Sequence, residues 1–216
     1  KDGKLYLRGV DYKTGRKSFD LTEVFHGLGL QMLLYLFTLK DRGEKFYGAP
    51  VEGAGVFYLP ARDVIVSEKR DASQAKIESD IQKELRRSGM VLEDPAVLQA
   101  MEHSALTSPC YLPIAVKKDG AVTGSLASAE QLGKLSKYVD RLLHEITQEV
   151  FAGNIDADPY ARTPQQSACT YCEFASACHF ENGCGGDRIE YIHATGAEQL
   201  WEHVDRTIGE GGKRDG

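Results

Sequence analysis

Apolar residues recur at the spacing of strands in some segments and at the spacing of helices in others, with polar stretches between them. Residues 5–15, Leu-Tyr-Leu-Arg-Gly-Val-Asp-Tyr-Lys-Thr-Gly, predict a strand followed by a turn. Residues 21–40 are apolar almost all round, which predicts a buried helix. Asp20 as N-cap and Glu23 fit a capping box at its start. Residues 54–60 predict a second strand, which a proline ends.

Three further helices and one further strand follow along the chain. Residues 75–88 carry apolar positions at helical spacing and predict an amphipathic helix. Residues 94–101 predict a short helix with proline at its first position. Residues 111–117 predict a strand at a sheet edge, because Pro113 cannot donate a backbone hydrogen bond. The longest predicted helix spans 128–152, and the whole pattern indicates an α/β protein.

Composition narrows the class of protein. The 216 residues are 42% hydrophobic and 27% charged, as in ordinary soluble globular domains. A net charge of −6 excludes a surface coated with positive charge, although a local basic patch of Lys4, Arg8, Lys13, Arg16 and Lys17 remains open. The longest apolar run is too short and too polar to predict a membrane span. The odd number of cysteines favours a reducing cytoplasm, and the absence of a Walker A pattern excludes ATP hydrolysis by this chain.

Candidate chemistry begins with Asp11 and Lys13, which are two residues apart on the predicted strand and therefore project to the same face. A carboxylate can hold a hard divalent cation, and an ammonium beside it can steer a phosphate or orient a water. The same pattern is also common at exposed strand ends. Gln31 and Tyr35 share one face of the predicted buried helix, where their polar groups need partners that Asp11 and Lys13 would supply.

A second cluster consists of Cys169, Cys172 and Cys178, with the spacing C-x2-C-x5-C in a segment rich in proline and polar residues. This spacing brings three thiolates within reach of one inorganic centre, and the alternative is three buried thiols. Zinc and a [4Fe–4S] cluster both normally take four ligands. From the residues alone, Cys184 is the candidate fourth ligand and zinc the candidate metal.

The stretches 10–15, 19–21 and 29–35 together resemble the (D/E)xK strand and the QxxxY helix of PD-(D/E)XK nucleases. More closely, they are similar to the carboxy-terminal nuclease domain of the AddB-type components of bacterial AddAB helicase–nucleases. Residues 159–160, 168–172, 178–180 and 187–188 look like the closing segment of that family. The resemblance covers nearly the whole chain.

The resemblance implies a restriction-endonuclease-like α/β fold, a mixed sheet flanked by helices, with the amino-terminal part of the fold missing. We expect one truncated nuclease domain over residues 1–208, with a flexible tail at 209–216. Within the domain we expect a helical insert at about 74–104 and a cysteine segment at about 159–190.

The chemistry that the resemblance implies is phosphodiester hydrolysis by a metal-dependent DNA exonuclease in double-strand-break repair by recombination. Asp11 and the Tyr12 backbone carbonyl are the implied ligands of Mg²⁺ or Mn²⁺. Lys13 is implied to position the water or to stabilise the transition state. Gln31 would orient Lys13 or the water, and Tyr35 would contact phosphate.

Parts of the family's machinery are expected outside the chain. The family's second metal carboxylate would precede Lys1, so we expect this piece to be weak or inactive alone. Its [4Fe–4S] cluster would use Cys169, Cys172 and Cys178, with a fourth cysteine upstream or Cys184 in its place. The cluster is expected in the parent protein and could be absent from this piece. The implied partners are DNA ends and single strands and an A-type helicase subunit, in a bacterial cytoplasm and without a membrane.

Two alternatives stay open at this point. One is a Cas4-like or other RecB-like iron–sulfur nuclease, against which the helical insert favours the AddAB type. The other is a non-catalytic module that binds DNA or protein on the same fold. Because an inactivated site has no reason to keep Asp11, Lys13 and Gln31 together, their presence favours catalysis.

Overall fold

The computed structural model describes residues 1–211, which fall into two units. The first unit comprises residues 1–20 and 29–137, and the second comprises residues 21–28 and those from 138 onward. In chain order the elements are β1 (Leu5–Lys13), α1 (Leu21–Phe25), α2 (Gln31–Arg42), α3 (Glu44–Tyr47), β2 (Val51–Pro60), α4 (Gln74–Glu84), β3 (Ser88–Leu92), α5 (Pro95–Met101), β4 (Ile114–Val116), β5 (Val122–Gly124), β6 (Leu126–Ala127), α6 (Ala129–Ala152), β7 (Tyr160–Thr163), β8 (Gln166–Ser167), α7 (Ala175–Cys178), β9 (Glu190–Tyr191) and α8 (Ala197–Gly211).

The first unit is built on a mixed four-stranded sheet in the order β1-β2-β3-β6. Strands β1 and β2 run parallel, β3 runs antiparallel to β2, and β6 runs parallel to β3. Strand β2 is buried on both faces along residues 54–58, as the continuous apolar run of a central strand requires. The predicted α/β fold with a mixed sheet is therefore confirmed.

Helices cover both faces of this sheet. On one face Met32 of α2 lies against Gly9 of β1, where an added Cβ would be only 3.1 Å from the methionine methyl carbon. On the other face Phe57 joins a buried cluster with Leu98 of α5 and with Leu112 and other apolar residues. Because neighbouring residues of a strand point to opposite faces, Val56 and Phe57 bury one side chain in each layer.

The second unit has its own apolar cluster. Phe25 of α1 packs with Tyr138 of α6 and with Leu200 and Val204 of α8. The Tyr138 hydroxyl donates a hydrogen bond of 3.0 Å to the Phe25 carbonyl oxygen, and burial raises the pKa of Tyr138 to about 12. The unit also contains a small sheet in the order β8-β7-β9.

The predicted single helix over 21–40 is wrong in two respects. It is two helices, α1 and α2, separated by Gly27 and Gly29, whose φ angles of +74° and +66° are incompatible with a continuous right-handed helix. It is also not buried all round. Helix α2 buries Met32, Leu33, Leu36 and Phe37 on one face and exposes the other.

The other predicted elements are largely confirmed. The helices predicted at 75–88, 94–101 and 128–152 correspond to α4, α5 and α6, and the Asp94 carboxylate caps α5 by accepting hydrogen bonds from two backbone amides. Strand β3 was not predicted and lies between α4 and α5, inside the expected helical insert. Helix α8 continues to Gly211, past the expected start of the tail, and residues 212–216 lie outside the described part of the chain.

Replacing Gly89 with alanine is expected to destabilise the protein by about 2–3 kcal/mol, because the added Cβ would overlap the sheet backbone. It would lie 2.0 Å from the Val56 carbonyl oxygen, which a paired strand cannot move away. The matched control is Gly133→Ala in α6, where the structure shows nothing within 4 Å of an added Cβ. We expect this control to stabilise the helix by about 0.5–1 kcal/mol. Urea unfolding followed by circular dichroism measures the stability of both variants. Equal unfolding midpoints for Gly89→Ala and Gly133→Ala would contradict the close packing of β3 against β2.

Candidate active site

The carboxylate and the ammonium of the strand motif form a pair near the end of β1. Lys13 Nζ lies 2.7 Å from Asp11 Oδ2, and both side chains are partly buried. Alternate residues of a strand share a face, so both lie on the face of Gly9, where α2 packs. The backbone at this point is held by β2, since Asp11 lies opposite Tyr58 and Lys13 opposite Pro60.

Lys13 has a second neighbour that the sequence did not indicate. Its Nζ lies 5.7 Å from the centroid of the Tyr58 ring, and Tyr58 itself is buried. The hydrogen bond to Asp11 raises the pKa of Lys13 above its ordinary value, partly offset by burial. The stabilisation from this pair is therefore fully present at neutral pH and is lost only as the pH rises through the raised pKa. Lys13 is thus a fixed positive charge beside a carboxylate.

Gln31 and Tyr35 form a second pair on the first turns of α2. Gln31 Nε2 donates a hydrogen bond of 3.0 Å to the Tyr35 hydroxyl oxygen, and both side chains are exposed. The expectation that these groups are buried is therefore wrong, because they lie on the polar face opposite Met32 and Leu33. Within the described residues no hydrogen bond joins this pair to Asp11 or Lys13.

The side chains near Asp11 do not form a complete set of ligands for a divalent cation. Asp11 supplies a partly exposed carboxylate, which suits a hard cation. Among residues 1–211, however, no three His, Cys, Asp or Glu side chains lie together where they could hold a metal ion. Asp11 therefore fits as one ligand of a metal site rather than as a whole site.

The cysteine segment has defined turns but does not assemble a metal site within the described residues. The Cys172 backbone amide donates a hydrogen bond of 3.2 Å to the Cys169 carbonyl oxygen, which closes the turn of C-x2-C. Cys178 ends the short helix α7, and Cys184 lies in a glycine-rich loop. Cys169 is partly buried and the other three are exposed free thiols, so the alternative of three buried thiols does not describe them.

No described helix is long and apolar enough to cross a membrane.

Comparison with known proteins gives two findings. A family model described as the PD-(D/E)XK nuclease superfamily matches residues 1–179. Three bacterial proteins, each named as the B-type subunit of an ATP-dependent helicase/deoxyribonuclease, are also similar to the chain. The protein of Clostridium botulinum (strain Loch Maree / Type A3) is 34% identical over 96% of the chain, and that of Thermoanaerobacter sp. (strain X514) is 31% identical over 97%. That of Clostridium acetobutylicum (strain ATCC 824) is 30% identical over 100%. The chain spans only 18%, 18% and 19% of their respective lengths.

Proposed function

The chain belongs to the PD-(D/E)XK nuclease superfamily, and we propose that it is a metal-dependent DNA exonuclease domain of a bacterial helicase–nuclease. Its reaction would be hydrolysis of phosphodiester bonds during recombinational repair of double-strand breaks. The names of its relatives support this assignment. The observation that carries it is the Asp11–Lys13 pair, with its 2.7 Å contact near the end of a strand whose neighbour is buried along residues 54–58.

In this proposal Asp11 and the Tyr12 backbone carbonyl would hold Mg²⁺ or Mn²⁺. The cation would supply Lewis acidity toward a phosphoryl oxygen. Lys13 carries the other part of the chemistry, because its ammonium stays protonated at neutral pH and can stabilise the negative charge that develops on the phosphate. Asp11 orients that ammonium through their hydrogen bond and would also be a ligand of the cation.

Gln31 and Tyr35 act as a polar pair at the start of α2. Because both are exposed and hydrogen-bonded to each other, they are free to exchange that bond for one to a bound strand. Gln31 would orient Lys13 or the attacking water, and Tyr35 would donate to a phosphate oxygen. These roles require only a rotamer change of exposed side chains.

We also propose that Cys169, Cys172 and Cys178 are ligands of a [4Fe–4S] cluster in the parent protein. Their residue type and close spacing support this, while their arrangement within the described residues leaves them as separate thiols. A fourth cysteine from elsewhere in the protein, or Cys184, would complete the set. Iron and sulfide analysis of the purified natural protein tests the assignment, and zinc without iron would contradict it.

The proposed partners are DNA ends and single strands, and the A-type subunit of the helicase–nuclease. The bacterial cytoplasm is the proposed location, where free thiols such as those of Cys172 and Cys178 persist.

The decisive test is cleavage of linear DNA by the natural protein that contains this chain, with Mg²⁺ and with EDTA. We expect products only with the cation. The 216-residue chain by itself is expected to cleave weakly, because one carboxylate gives low affinity for Mg²⁺. Raising the Mg²⁺ concentration should reduce the difference in cleavage rate between the isolated chain and the natural protein. Cleavage that persists in EDTA would contradict metal dependence, and equally fast cleavage by the isolated chain would contradict the incomplete site.

A further inference from the structure

A pocket of about 290 Å³ opens beside Lys13 in the first unit. It lies at the end of β1 and β2, between the turn of residues 15–18, the start of the loop that follows β2, and the residues around the end of α4. Its basic lining residues are Lys13, Arg16, Lys17, Arg62, Lys83 and Arg86. Three segments that are distant in sequence therefore bring positive charge to one place.

The charge of this pocket opposes that of the chain. Glu84 is the one carboxylate among its lining residues, whereas the chain as a whole has a net charge of −6. A concave surface lined by one sign of charge concentrates the potential and attracts ligands of the opposite sign. Some of this charge is balanced, because Lys13 pairs with Asp11, Lys83 pairs with Asp80, and Arg16 and Arg62 share Glu84. The six lining cations still outnumber these three carboxylates, and this excess of positive charge points to an anionic ligand.

Glu84 holds two of these cations in place. Its Oε2 accepts hydrogen bonds from Arg16 at 2.9 Å and from Arg62 at 2.8 Å. The two arginines lower the pKa of the Glu84 carboxyl, so the bridge is ionic at neutral pH. Lys83 Nζ likewise lies 2.7 Å from Asp80 Oδ1. Arg16 is 78% exposed and Lys83 is 68% exposed, so a ligand in solvent can reach both cations while they stay paired.

Arg86 differs from the other lining cations because it is held by backbone carbonyl oxygens. Its guanidinium donates to the backbone carbonyl oxygens of Leu112 and Ile114, which fixes the side chain in the wall of the pocket. Its charge remains, because carbonyl oxygens do not neutralise a guanidinium. The pocket thus combines a cation that backbone carbonyls fix in its wall with exposed, ion-paired cations at its mouth, which a phosphate can reach from solvent.

We propose that this pocket binds a phosphate group of the DNA strand next to the phosphate that Lys13 contacts, which rests on the proposed nuclease function. Lys13 lines this pocket, and in the proposed reaction it also contacts the phosphate of the bond that is cut, so one strand can occupy both places. Successive phosphates of a strand are closely spaced, about 3.4 Å per charge along the helix axis in duplex DNA and further apart in an extended single strand. The substrate class is therefore a polynucleotide with at least one phosphate beyond the bond that is cut.

The test measures binding of a labelled single-stranded oligonucleotide to the 216-residue chain by fluorescence anisotropy in EDTA, over a series of salt concentrations. The double variant Arg16→Ala/Lys83→Ala is expected to weaken binding roughly tenfold and to reduce the salt slope by about 0.7 for each phosphate that is no longer neutralised. The matched control is Lys45→Ala, at the other end of the sheet, because α3 precedes the start of β2 while the pocket adjoins its end. Variants that bind like the control would overturn the proposal.

A second variant has an effect of the opposite sign. Glu84→Gln keeps the side-chain shape, removes the negative charge and releases Arg16 and Arg62. It is expected to tighten binding of the oligonucleotide about threefold or more, since a like charge no longer faces the phosphate. A purely structural role for Glu84 predicts weaker or unchanged binding, and either result would overturn the proposal.

Oligonucleotides with and without a terminal phosphate identify the phosphate that binds. If the terminal phosphate raises the affinity of the natural chain but not of Arg16→Ala/Lys83→Ala, the pocket takes a monoester. If the natural chain binds both oligonucleotides with equal affinity, and the double variant binds both more weakly, the pocket takes an internal phosphodiester. Because these measurements need no cation and no cleavage, they are independent of the proposed reaction. Pocket variants that bind normally in a protein that cleaves DNA refute the pocket alone, whereas a Lys13→Ala variant that cleaves at the natural rate refutes the assignment of the reaction to the Asp11–Lys13 site.

Discussion

Replacing Lys13 with alanine is expected to lower the rate of linear-DNA cleavage at saturating DNA by about 10²–10³-fold, the usual effect of removing one electrostatic stabiliser of a transition state. Lys13 is the positively charged side chain that contacts Asp11, and its raised pKa keeps that charge at every pH where DNA cleavage is normally measured. Alanine removes the charge and leaves the carboxylate without its partner. The measurement is the single-turnover rate of the natural protein with saturating Mg²⁺ and DNA.

The control for Lys13→Ala is Lys45→Ala, which removes an exposed lysine from α3. Both variants should unfold close to the temperature of the natural protein, because an exposed or partly exposed ion pair contributes little to stability. Lys13→Arg keeps the charge but presents it as a planar fork, so we expect it to recover only part of the rate. A Lys13→Ala protein that cleaves at the natural rate would show that the reaction takes place elsewhere.

Replacing Asp11 with asparagine is expected to have an effect of similar size through a different cause. Asparagine has nearly the same shape as aspartate but lacks the negative charge that holds a hard cation. We expect the Mg²⁺ concentration for half-maximal cleavage to rise about tenfold or more, since a charge-assisted ligand becomes a neutral one. The rate at saturating Mg²⁺ should also fall, because Lys13 loses the partner that orients it.

Titration of cleavage against Mg²⁺ separates the two variants. Asp11→Asn should shift the titration along the concentration axis, whereas Lys13→Ala should lower its plateau with little shift. Asp41→Asn, on an exposed position near the end of α2, is the matched control and should change neither. If Asp11→Asn titrates like Asp41→Asn, then Asp11 is not a metal ligand.

The sequence predicted the strand pair that carries the motif, because strand periodicity is local and Asp11 and Lys13 must then share a face. It did not predict the break between α1 and α2, since the apolar pattern runs through Gly27 and Gly29 without interruption. The same pattern concealed the exposed face of α2, on which Gln31 and Tyr35 lie. Apolar content averaged over a segment does not report which side of a helix meets solvent.

Features that depend on contacts between distant segments could not be predicted from the local sequence pattern. Strand β3 has only five residues, and its pairing with β2 rather than its own composition makes it a strand. The contact of Lys13 with Tyr58 depends on the register of β1 against β2. The basic pocket likewise needs Arg16, Arg62 and Lys83 to meet in space, although each alone is an ordinary surface cation.

The position of β1 in the sheet has a consequence for how the site can be controlled. Among the described strands β1 has β2 as its sole neighbour, so its other backbone edge offers a row of amide and carbonyl groups. An added strand, from the same protein or from a peptide, could pair along this edge by β-augmentation. Its side chains would then lie about 4.5–5.5 Å from those of Asp11 and Lys13 across the new pair. The proposed Asp11–Lys13 site is therefore open to completion or to blockade through main-chain hydrogen bonds, and a short extended peptidomimetic is a rational starting point for an inhibitor.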